Sequence, residues 1–170
     1  MTDEPDTLAF RPAATEDWDR IWPIFAAVVA TGDTYAYPPD ITADDAFASW
    51  MPDGTADRTT YVAELDGDIV ATAYVKPNAQ GLGRHVANAG WMVAPDAAGH
   101  GIGRRFGGWV IDQAVRRGFT HMQFNAVVAS NERAVGLWRS LGFEIVGTVP
   151  EAFDHADLGP TAVHIMWRRL

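Results

Sequence analysis

Between Val93 and Arg105 the chain leaves an apolar, strand-like run and crosses Gly99-His100-Gly101-Ile102-Gly103. It then enters a run with helical spacing at Ile102, Phe106, Trp109/Val110 and Ala114 that stops at Gly118. Glycines so spaced at the head of a helix let backbone amides approach a ligand, and the unpaired N–H groups and positive dipole end favour an anion. Such a strand-turn-helix needs a sheet behind it and a helical layer packed on that sheet. It is not a dinucleotide fingerprint, because Phe106 holds the third glycine's place and Gln123 stands where an acid is needed about 20 residues on. No Gly-Lys-Ser/Thr follows it either. Taken alone, the same residues also make a flexible turn.

The remaining elements follow from periodicity and punctuation. Leu8 to Arg11 reads as a first strand. Thr15 reads as the N-cap of a helix carrying Glu16 and Asp17 in its first turn and Trp18, Ile21, Trp22, Phe25 and Val28/Val29 at helical spacing, with Pro23 as a local conflict. A second helix starts at Thr42, with Phe47 and Trp50 as its apolar contacts. Thr59 to Leu65, Asp66-Gly67 and Asp68 to Lys76 read as a β-hairpin. His85 to Val93 is a strand, Pro95 to Gly99 a loop, Gly101 to Arg117 a helix and Phe119 to Ala129 a strand. Asn131 to Ser140 is a helix stopped by Gly142, and Phe143 to Val149 and Thr161 to Arg168 are closing strands. This order predicts an α/β (α+β) fold, a mixed sheet with helices on its faces. No repeat or linker divides it, so residues 7–170 are expected to form one domain behind a disordered tail, 1–6.

Charge narrows the partners. The 170 residues carry 13 Lys+Arg against 22 Asp+Glu, a net charge of −9, yet Arg84 to Arg139 holds seven arginines and three acids. One basic third in an acidic chain suits a small polyanion rather than the long phosphate track of a nucleic acid; arginines that merely solvate helix faces give the same count. There is no cysteine, which excludes thiolate metal sites and a Cys nucleophile, and five histidines without paired spacing give no metal motif. The longest apolar run, Ile24 to Ala30, is far short of a membrane span, and the acidic amino terminus lacks a secretory pattern. A cytoplasmic protein without a membrane partner is expected.

A second constellation is Asn131-Glu132-Arg133-Ala134 opening a helix that ends Leu137-Trp138-Arg139-Ser140-Leu141-Gly142-Phe143. With the glycine loop upstream, the chain resembles the GCN5-related N-acetyltransferase superfamily from about Thr7 to Gly147. That family's Arg/Gln-x-x-Gly-x-Gly/Ala loop looks like Ala98 to Gly103, and its Asn-x-x-Ala…Leu-Tyr…Gly-Phe looks like Asn131, Ala134, Leu137-Trp138 and Gly142-Phe143. The resemblance implies acetyl-CoA as cosubstrate, lying between two splayed strands, His85 to Val93 and Phe119 to Ala129. Its pantetheine arm would pair with backbone near Met92 and Val93. Its pyrophosphate would sit on the amides of Gly99, His100, Gly101, Ile102, Gly103 and Arg104, with Asn131 also at the coenzyme. Two positions depart from the pattern: Ala98 replaces a basic or amide side chain, and Trp138 replaces a tyrosine that protonates the departing thiolate, which an indole is too weak an acid to do.

A narrower resemblance rests on Tyr74-Val75-Lys76-Pro77-Asn78, His85-Val86-Ala87-Asn88-Ala89-Gly90 and Phe124-Asn125-Ala126-Val127. These runs are similar to acetyltransferases of proline analogues such as azetidine-2-carboxylate. It implies that Asn88 and Asn125 orient a small amino or imino acid, with Asn131 nearby. Asparagine suits mid-strand positions poorly, and each also reads as serving a bulge or a buried backbone group. Phe10, Trp18 and Tyr35 to Tyr37 are candidate walls, and His85 and His121 candidate general bases. The expected reaction is direct acetyl transfer to a small-molecule amine. Other acceptors (phosphinothricin-like amino acids, aminoglycosides, a protein amino terminus) and a non-catalytic acyl-CoA-binding module stay open, as does a homodimer formed through exposed closing strands.

Overall fold

A computed structural model describes residues 7–55 and 57–170; the tail expected over 1–6 lies outside the described residues. Asp66 and Gly67 both take positive φ, 50° and 89°, as a two-residue hairpin turn requires. They join β2 (Thr59–Leu65) to β3 (Asp68–Pro77). β1 (Leu8–Pro12) pairs antiparallel with β2, and β4 (Val86–Val93) antiparallel with β3. β5 (His121–Val128) runs parallel to β4. With β6 (Glu144–His155) and β7 (Gly159–Arg169) they form one seven-stranded mixed sheet in the order β1-β2-β3-β4-β5-β7-β6.

Helices cover both faces, as the element order predicts: α1 (Trp18–Val29) and α2 (Ala43–Trp50) on one, α3 (Ile102–Arg116) and α4 (Glu132–Ser140) on the other. Strand alternation divides the core accordingly. Tyr61, Ala63, Ala73 and Val75 join Phe106, Val110 and Trp138, while Val62, Ile69 and Met92 join Ile21, Phe25 and Trp50. Trp50 is fully buried, its indole N–H donating to Thr72 Oγ1 (2.9 Å) and its carbonyl accepting from Thr60 Oγ1 (2.7 Å). A large ring is thereby buried with its polar groups satisfied.

Three local expectations need correction. Thr15 is not the cap of α1. Thr15–Asp17 form a single 3-10 turn, α1 begins at Trp18, and the Asp17 carboxylate reaches back to the Ala14 N–H (2.8 Å) while Arg11 grips both its oxygens. That guanidinium bond holds the Asp17 carboxyl below its ordinary range. Pro23 does not break α1, because it lies on the exposed face, where the Asp19 carbonyl it leaves without a donor faces solvent. The closing strands are longer than the sequence indicates. β6 passes Pro150 through an irregularity in register between Val149 and Phe153, with Glu151 at φ 51°, and continues to His155. β7 also lies between β5 and β6, so both its edges are paired and it offers none to a second copy; β6 is the outer strand.

Candidate active site

β4 and β5 are the only parallel neighbours in the sheet, and their register covers just two positions, Val86↔His121 and Ala87↔Met122. Beyond Ala87 they separate. A continuing parallel ladder would give the Gln123 carbonyl to the Ala89 N–H, but Asn88 Nδ2 takes that carbonyl at 3.0 Å. Two residues further on, the hydroxyl of Tyr35 accepts from the Trp91 N–H (2.9 Å) and donates to the Trp91 carbonyl (2.7 Å). Side chains thus satisfy the Gln123 carbonyl of β5 and both polar groups of Trp91 on β4 where the two strands no longer meet, and the Ala89 N–H is left facing the gap. β5 contributes a bulge: its register against β7 shifts between Phe124 and Val127, at Asn125-Ala126.

The splay opens on a cavity of about 370 Å³ whose wall includes Tyr35, Tyr37, Tyr74, Asn88, Trp91, Phe124, Asn125, Asn131 and Trp138. The three asparagines singled out from sequence therefore meet at one site, and each has an intramolecular partner there. Asn88, 9% exposed, also accepts from the Tyr74 hydroxyl at 3.3 Å. Asn125 donates to Asn78 Oδ1 (2.8 Å) and accepts from Gln123 Nε2 (2.9 Å). Asn131 caps α4, its Oδ1 accepting from the Ala134 N–H (3.0 Å). Burial pushes the phenol of Tyr35 far up, that of Tyr74 up to about 12, and that of Tyr37 up. All three stay protonated near neutral pH, and among the described residues no carboxylate lines the cavity. A smaller, polar cavity of about 300 Å³, with Asp33, Glu132, Arg133 and His155 in its wall, adjoins it through Thr34 and Asn131.

The glycine loop lies past the carboxyl end of β4. Gly99 and Gly101 have φ of 94° and 75°, Gly101 immediately preceding α3; a side chain at either would be strained. Ile102 points its side chain into the core, so it offers only its amide, while His100 and Arg104 are exposed. A Cβ on Gly103 would lie 3.6 Å from Leu137 and 3.7 Å from Val93, so the turn packs close between β4 and α4. Met92 and Val93 differ. Met92 sits opposite Thr72 in the β3 ladder and the Ala94 N–H donates to Val70, so by alternation the backbone groups of Val93, not those of Met92, face the splay. Val93 and the free amides heading α3 form a donor set that fits a pantetheine arm and a diphosphate.

Other expectations fail on position. His85 and His121 lie at the closed end, and Asn125 is four residues beyond His121, about 13 Å along the strand, so neither histidine reaches the cavity. Phe10 packs on Phe106 and Trp109, and Trp18 on Trp22 and Phe47; of the candidate walls only Tyr35 to Tyr37 serve. Trp138 is buried, its ring 4.7 Å from Trp91 and 4.9 Å from Phe124. The basic stretch is divided. Arg84 pairs with Asp57, and Arg117 donates to the Val75 and Asp57 carbonyls; only Arg104 and Arg105 sit beside the loop on α3. Tyr74, Asn78 and Gln123 were missed as polar groups of the site, because their roles depend on cross-strand partners rather than sequence spacing.

A model of the acetyltransferase (GNAT) family matches residues 15–143. A GCN5-related N-acetyltransferase structure from Kribbella flavida is 46% identical, with a TM-score of 0.91 over 96% of this chain and 98% of that one. A phosphinothricin acetyltransferase of the same superfamily from Sinorhizobium meliloti, solved with acetyl-CoA, shares the fold at 20% identity and a TM-score of 0.82, over 96% and 89% of the two chains. The N-acetyltransferase aca1 of Schizosaccharomyces pombe is 32% identical over 96 residues, 56% of this chain; the match spans about half of that relative, 46% of its length.

Proposed function

This chain belongs to the acetyltransferase (GNAT) family, and from that premise we propose that it transfers an acetyl group from acetyl-CoA directly to the nitrogen of a small amino acid or proline-like imino acid. The observation that carries this reading is the splay, a gap in the sheet propped by side-chain hydrogen bonds, with a glycine-rich turn past one end and a cavity lined by aromatic rings and asparagines within it. Bound acetyl-CoA supplies the activated thioester. The amides of Ile102, Gly103 and Arg104 hold its diphosphate, with Gly99, His100 and Gly101 shaping the turn, and the Val93 backbone pairs with the pantetheine arm. Asn131 fixes the start of α4 beside it.

The Ala89 N–H, displaced from Gln123 by Asn88, faces the gap and is the donor for the oxygen that gains charge as the amine attacks. One such donor is worth about 10²–10³ in rate. Asn88 and Asn125 set the orientation of the acceptor, a positioning role. With no carboxylate or histidine among the described residues of the wall, the acceptor enters as the neutral amine. The hydroxyl protons of Tyr35 and Tyr74 are committed to Trp91 and Asn88, so water protonates the leaving sulfur.

Calorimetry with acetyl-CoA, followed by a panel of amines assayed by thiol release, tests the reading. Binding should occur well below millimolar, and log(kcat/KM) should climb with unit slope up to the pKa of the acceptor itself. An absence of coenzyme binding at millimolar concentration removes the enzyme, and a plateau set by the protein rather than the acceptor removes the capture of neutral amine. Binding without turnover on any amine would favour an acyl-CoA-binding module.

A further inference from the structure

We propose that Lys76 reads the acceptor's carboxylate, which restricts the acceptors to amines that carry an anion beside the nitrogen; this deepens, and rests on, the acyl-transfer reading above. Lys76 is the only lysine in a chain of net charge −9. It stands directly opposite Asn88 in the β3–β4 ladder, and alternation puts its side chain on the face of the sheet that carries Tyr74 and Asn88, both in the cavity wall. Its ammonium lies 5.5 Å from the centroid of the Tyr74 ring. The ring's hydroxyl in turn holds Asn88.

Among the described residues this cation has no anion: every ion pair there belongs to an arginine, Arg11, Arg20 or Arg84, and none to Lys76. Its charged surroundings add a second cation. Arg58 donates to the Ala48 and Met51 carbonyls and keeps its Nε buried without a partner, while the Asp53 carboxylate is exposed and bonded to Thr55. Burial first and Arg58 second hold the Lys76 ammonium below the ordinary lysine range, with Asp53 opposing weakly. A half-buried ammonium against Tyr74, at the edge of a cavity whose wall has no carboxylate among the described residues, is left to be neutralised by what enters it. The site's carboxamides discriminate less. Asn88 and Asn125 each commit one N–H within the protein, and the uncharged N–H that remains bonds a carboxylate and the oxygen of its isosteric amide alike.

The test compares azetidine-2-carboxylate with azetidine-2-carboxamide, and proline with prolinamide, on the full chain and on Lys76→Met, Lys76→Gln and Lys76→Arg. The readout is the acid-to-amide ratio of kcat/KM in each variant divided by that of the wild type, which cancels intrinsic amine reactivity. Lys76→Met and Lys76→Gln should lower this ratio about 10–100-fold, as expected for a lost charge-assisted bond. The amide rate and acetyl-CoA affinity should be unchanged, and Lys76→Arg should restore part of the preference. An unchanged ratio in folded variants overturns the role of Lys76, and so does a wild type that turns over amides as well as acids. If the wild type binds acetyl-CoA and acetylates no amine, the acyl-transfer reading itself has failed, and this proposal with it.

Discussion

The two ends of the β4/β5 pair are held by different chemistry. At the closed end backbone meets backbone, Val86 and Ala87 against His121 and Met122, with structural cations close to the same layer: Arg84 on Asp57 and Arg117 on the Val75 carbonyl. At the open end side chains replace the missing strand, Asn88 on Gln123 and Tyr35 on both polar groups of Trp91. The gap is thus a built feature, edged by specific side-chain hydrogen bonds. The difference also separates residues that look alike in sequence, since His85 and His121 belong to the closed end while uncharged asparagines and tyrosines line the open one.

This contrast can be broken most directly at Tyr35. Tyr35→Phe leaves the Trp91 N–H and carbonyl without a partner; both are part-buried, and at about 1–2 kcal/mol each, the lower part of the cost of an unsatisfied group, urea unfolding should show a loss of about 2–4 kcal/mol. A loss under about 1 kcal/mol would mean that water or a relaxed β5 satisfies Trp91 and that nothing props the strands apart. The two asparagines sharpen the picture. Asn88→Ala should cost about 1–3 kcal/mol of stability, because Asn88 is buried and holds two half-buried partners, Gln123 and Tyr74. Asn125→Ala, on an exposed bulge, should stay within about 0.5 kcal/mol yet lower turnover about tenfold with acetyl-CoA affinity little changed. Equal effects from both variants would erase the distinction between a strand spacer and a substrate-facing group. The smallest effect is expected at the closed end. Removing a general base costs roughly 10²–10⁴-fold, so a His85→Gln/His121→Gln double variant that keeps turnover within about twofold leaves both histidines structural, and a hundredfold loss would return one of them to the chemistry.

Much of the architecture was legible before any coordinates. Asp66-Gly67, Thr42, Asn131 and Gly118 act at the ends of elements, where a few neighbouring residues decide the conformation, and each stands at the boundary expected of it. Asp17 and Glu151 were harder. The first caps backward through a partner on β1, and the second sits in an irregularity that exists only because β6 pairs with β7. The meeting of Asn88, Asn125 and Asn131 around one cavity was anticipated from motif resemblance; the partners that occupy their amides were not.

The sequence by itself determined the order of strands and helices, the two-faced core and the amide-rich turn before α3, because alternation, helical spacing and punctuating glycines are properties of adjacent residues. Only the tertiary structure decided which arginines serve the loop and which are spent on carbonyls, and that the splay is propped by Tyr35, 56 residues from Trp91. Hydrogen bonds across such separations depend on the three-dimensional path of the backbone, and no local pattern encodes where an unpaired strand edge will find its partner.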